Sequence, residues 1–203
     1  MFRLGDPDPW HLSTDNDVGV NFVVSCLIKD GLQVAPFTDH PAGDGQLEAL
    51  GLNEKIWRDW LHEVVRRRVA VEQAFAAGVS WFPIPHLRMP RGSGNPMDVP
   101  GALGPDGPLR AAIAQRWTAW RSRPDRLSAP GEMPEALGPG LYNEFRSSRP
   151  RPPYLSVHLA DYPSVAVEPV PPGSLVVGRP VPTDDVSYAS VIRRGFALLV
   201  HAR

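Results

Sequence analysis

Proline decides where this chain can be regular. Of its 203 residues, 24 are proline, and they come in clusters. Each proline fixes its own φ, lacks an amide donor and pushes the residue before it out of the helical region. Helices and strands are therefore confined to the stretches between clusters. The densest cluster runs from Val79 to Pro108, with seven prolines and five glycines. It reads as a long loop or linker, the one candidate internal boundary in a chain otherwise expected to form a single domain over residues 1–203. Loops of that length are uncommon in compact domains and tend to carry function. Residues 1–12, with Asp6-Pro7-Asp8-Pro9, read as an extended lead-in. Gln33 to Gly45 is turn-rich, Gln46 to Leu50 has room for one helical turn, and Arg123 to Gly140 is again broken.

The intervening segments carry clear periodicity. Val18 to Lys29 lies between the cap-forming cluster Ser13-Thr14-Asp15-Asn16-Asp17 and Asp30-Gly31. Its apolar residues also alternate as a strand would, but the two end signals favour a helix. Asn53 to Ala77 is a helix by its start signals and by Ile56, Trp57, Trp60, Leu61, Val64 and Val65 at spacings of three and four. Pro108 opens another through Arg121, proline being suited to the first helical position, with Leu109, Ile113, Trp117 and Trp120 as its stripe. A short helix is expected at Leu141 to Arg146. Tyr154 to Tyr162 then alternates as a strand, with Leu155, Val157 and Leu159 on one side and Ser156, His158 and Ala160 on the other. Val165 to Val170 and Ser174 to Val177 follow as short strands. Thr183-Asp184-Asp185 caps a last helix to His201. Helices first and strands grouped afterwards is the α+β order. The expected fold is α+β: N-terminal helices, a small sheet of about three strands, and the C-terminal helix packed on that sheet.

Charge narrows the function classes. The formal net charge is −1, which argues against bulk capture of nucleic acid or of an anionic membrane. Residues 1–60 are net acidic and residues 61–151 net basic. Only Lys29 and Lys55 are lysine among 21 basic residues, leaving 19 arginines. Arg66-Arg67-Arg68, Arg121, Arg123 and Arg126 lie in the basic stretch near tryptophans, the ingredients of a nucleic-acid surface. Acidic residues interspersed among them make that partner the weaker expectation. Cys26 is the single cysteine, so neither an internal disulfide nor a cysteine zinc cage can form. The longest apolar run, Phe22 to Ile28, is too short to cross a bilayer. With no signal-peptide pattern at its start, the chain is expected to be cytoplasmic and free of membrane partners.

Three constellations could carry function. Thr38 to Gly45 places Asp39, His40 and Asp44 in one loop, a set able to hold a divalent metal or act as an acid/base pair. Aspartate and glycine are also ordinary turn formers, and no metal-site spacing is matched. His158 and Asp161 sit on and after the strand face opposite Leu155, where they are either a catalytic pair or a solvated edge. Cys26 with His40 and Asp39 is a remoter nucleophile arrangement, since a thiol in an apolar run commonly behaves as a small hydrophobe. Trp57 with Trp60, and Trp117 with Trp120, form two pairs at i, i+3. They are either core or, with Arg66 and Arg67, a partner-binding patch. Phosphate-loop, dinucleotide, nucleophile-elbow and zincin motifs are missing, and no cofactor is implied. The expectation is a protein–protein interaction or regulatory module. The alternatives are a small metal-dependent or acid/base hydrolase using Asp39, His40 and Asp44, and nucleic-acid binding through the arginines.

Overall fold

A computed structural model describes residues 12–15, 17–40, 49–76, 107–122, 137–147, 155–179 and 185–201. The proline-rich stretch lies outside these residues, apart from its last two positions. So does most of the Gln46–Leu50 turn.

Strand β1 is Leu12–Asp15, and it is followed at once by helix α1, Val18–Lys29. Helices α2, Glu54–Ala76, α3, Pro108–Arg121, and α4, Leu137–Ser147, come next. Strands β2, Leu155–Asp161, β3, Ala166–Val170, and β4, Ser174–Arg179, precede the closing helix α5, Asp185–His201. The fold is α+β, as the sequence order requires. Its sheet has four strands in the order β1-β2-β4-β3. The pairs β1–β2 and β2–β4 are parallel and β3–β4 is antiparallel. The additional strand is β1, in a stretch whose sequence reads as lead-in and cap residues.

Local chemistry explains the helix ends. Asp17 accepts from the amides of Gly19, at 2.6 Å, and Val20, at 3.0 Å, which satisfies two of the bare donors of α1. At the other end Gly31 takes φ 63°. Leu32 donates back to Leu27 and Gly31 to Ile28, both at 3.1 Å, the paired bonds of a left-handed glycine cap. Asn53 caps α2 by accepting from Ile56 at 2.9 Å. Helix α4 begins four residues earlier than its apolar pattern suggests. Pro139 is its third residue, where the amide has no acceptor within the helix and its loss costs nothing.

Both faces of the sheet are covered. Leu155, Val157, Leu159, Leu175 and Val177 pack with Leu141 and Phe145 of α4 and with Ala189, Ile192, Phe196 and Leu199 of α5. The closing helix rests on the sheet so tightly that a Cβ on Gly195 would stand 2.8 Å from both Leu175 and Val167. The other face, with Ala160, Tyr162, Ala166, Val170 and Val176, packs under α1, α2 and α3. Phe22 of α1 is the hub there. Its ring meets Trp60 at 5.9 Å, Trp117 at 4.9 Å and Trp120 at 5.6 Å, all edge to face.

One side chain repairs the sheet. Strand β1 pairs with β2 only as far as Asp15 opposite His158, so the backbone of β2 beyond that point faces no strand on this side. Asn21 of α1 fills the gap. Its Nδ2 donates to the Leu159 carbonyl at 3.2 Å, and its Oδ1 accepts from the Asp161 amide at 2.7 Å. Those are the two bonds that a further strand residue opposite Ala160 would make.

Candidate functional site

The polar groups of the sheet face under α1 and α2 form one layer. Ser156 and His158 point from β2 into it, and both are fully buried. The Ser156 hydroxyl lies 2.9 Å from His158 Nε2. On the other side of the ring, Nδ1 is 4.0 Å from Asp17 Oδ2. The Asp17 carboxylate stands 3.9 Å from Arg68 Nε of α2, and Arg68 also bonds Glu72 at 2.9 Å. A serine, a histidine and an aspartate thus line up in the order that nucleophilic catalysis uses. The distance from imidazole to carboxylate is too long for a hydrogen bond, and the serine has no exposed surface. The expected solvated alternative for His158 is overturned too. That face is covered because α1 returns over β2 directly after its cap, with α2 lying beside it.

A second polar group sits across the sheet on the same face. His158 and Glu168 are both register partners of Val176, one on each side of it. Glu168 is almost buried, and its Oε1 accepts from His62 Nε2 at 2.8 Å and lies 3.2 Å from Arg58 Nε. Arg58 also donates to the Ala35 carbonyl at 2.5 Å and pairs with Glu54 at 3.2 Å. Helix α2 is therefore pinned at two places, near Arg58 and His62 on β3 and at Arg68 on Asp17. Sequence reasoning missed both pins. His62 and Glu168 are 106 positions apart, and no local pattern links them.

The loop candidates are only partly brought together. Asp44 lies outside the described residues. The His40 ring stands edge-on to Tyr162 at 6.0 Å, which places Asp39 and His40 beside the C-terminal end of β2, where Asp161 is exposed. His40 Nε2 is 3.2 Å from the Leu32 carbonyl. Burial raises the pKa of the Tyr162 phenol, while the nearby backbone of Asp39 pulls it partly back. His158 lies one layer below this corner, inside the protein. Among the described residues, no group of three or more His, Cys, Asp or Glu side chains could hold a metal ion. Nor is any helix there long and apolar enough to cross a membrane.

The four tryptophans are core. Trp57 and Trp60 have no exposed surface, and Trp117 and Trp120 keep 7% and 8%. Trp57 donates to the Val23 carbonyl at 3.0 Å. A patch built on these rings is therefore not presented to solvent. Of the arginines grouped with them, Arg67 leans on Glu63 at 3.4 Å, and Arg66 is exposed.

Cys26 lines a small cleft with Phe22, Ser25, Lys29, Arg116, Ala119 and Trp120. Burial pushes its thiol up to about 12, against the pull of the Arg116 guanidinium. A thiol so placed is no nucleophile at neutral pH. Arg116 itself is buried in an ion pair with Asp30, at the end of α1. Asp30 also accepts from the Leu50 amide at 3.0 Å. This pair ties α3 and the chain entering α2 to the α1 terminus.

Comparison with models of known families, with curated proteins and with solved structures finds no match to this chain.

Proposed function

We propose that this protein is an interaction or regulatory module. The observation that carries the reading is where the reactive side chains lie. Asp17, Ser156, His158 and Glu168 are buried between helices and sheet, and Asp30 with Arg116 between helices; Glu168 and the Asp30–Arg116 pair fasten one element to another. Buried polar groups with specific partners favour one arrangement of the core over its competitors. Most of the arginines on α2 are held by carboxylates of the chain itself, which supports a protein partner over nucleic acid. The test uses the full chain as bait in extracts of its source cells, followed by reconstitution with the purified partner. A stoichiometric complex that re-forms from purified components is the expected result. Failure to reconstitute any complex would sink the reading.

A second reading, a small acid/base or metal-dependent hydrolase, has a specific observation in its favour. The Ser156–His158–Asp17 order has a serine–histidine contact of 2.9 Å, and Asp39 and His40 stand at the C-terminal end of the strand that carries it. Hydrolysis of ester or phosphoester substrates, abolished by Ser156→Ala or Asp39→Asn in a folded protein, would favour it. Melting that does not change on adding divalent ions, together with an inactive wild-type chain, would remove it.

A further inference from the structure

We draw no further inference here: the strongest candidate, the small cleft between α1 and α3 lined by Cys26, Lys29 and the buried Arg116, carries nothing, because it has room for little more than a water molecule, its buried guanidinium is already engaged by Asp30, and what remains rests on a lone cysteine.

Discussion

Replacing Asn21 should cost far more than its size suggests, because it stands in for a missing length of strand. In Asn21→Ala the Leu159 carbonyl and the Asp161 amide lose the partners they have at 3.2 Å and 2.7 Å. The Asp17 carbonyl loses its side-chain donor, at 2.9 Å, and keeps only the backbone amide of residue 21. A buried group left without a partner costs about 1–3 kcal/mol. The Leu159 carbonyl is inside, while Asp161 is at an exposed strand end where water can reach, so its share falls at the lower limit. The sum is about 2–4 kcal/mol. For a chain of this size that is a fall in melting temperature of roughly 5–15 °C. Asn21→Asp separates this account from simple packing. It keeps the shape and the acceptor for Asp161, but it turns an acceptor towards two carbonyls and sets a charge beside the Asp17 carboxylate. It should therefore be worse than alanine, by about 2 kcal/mol. Urea unfolding gives both values, and native-state hydrogen exchange should show the Asp161 amide released in Asn21→Ala, which removes its acceptor. An Asn21→Asp protein within about 1 kcal/mol of wild type would refute the strand-mimic account.

Other outcomes follow from the same structure. Gly195→Ala puts a methyl group 2.8 Å from Leu175 and Val167, and it should lose about 1–3 kcal/mol in urea unfolding even though alanine is the better helix former. Arg116→Ala should lose about 3–5 kcal/mol by leaving Asp30 buried without its cation, and Asp30→Asn combined with it should recover part of that loss. Cys26 should resist thiol reagents at pH 8 in the folded chain and react once urea unfolds it. Its pKa is raised from 9.0 to about 12 by burial, so the stabilisation tied to the neutral thiol is complete below pH 9. It is lost as pH rises towards 12, and alkaline unfolding should be delayed in Cys26→Ala.

Much of the fold is legible in the sequence, for reasons that can be named. Helices α1, α2 and α3 announce themselves by Asp17 with Gly31, by Asn53, and by Pro108 in the first turn. Strand β2 is given away by its alternation. Strand β1 is not legible, because Leu-Ser-Thr-Asp is short, polar and identical in kind to a helix cap. Its pairing residue Leu155 lies 143 positions downstream, at a distance where only the finished sheet supplies the reason. Pro139 hid the start of α4 by looking like a breaker when it occupies a first turn. The site was less legible than the fold. Ser156 and His158 are visible as side chains on one strand face, but alternation cannot show whether that face meets water or a second layer of helices. His62 is an unremarkable member of a charged helix until Glu168 is brought under it. The tryptophan spacing was legible as two pairs, and only Phe22, on a third helix, shows that both turn inward.

The proposed interaction role leaves no catalytic part to the buried Ser156–His158–Asp17 alignment between β2 and α1. Reaction of the native full chain with a fluorophosphonate probe tests this most directly, since such probes label only a reachable, activated serine. The account predicts no labelling of Ser156 in the folded protein, with wild type and Ser156→Ala indistinguishable. Labelling of Ser156 that disappears in a folded His158→Gln protein would contradict it and move the function to this serine.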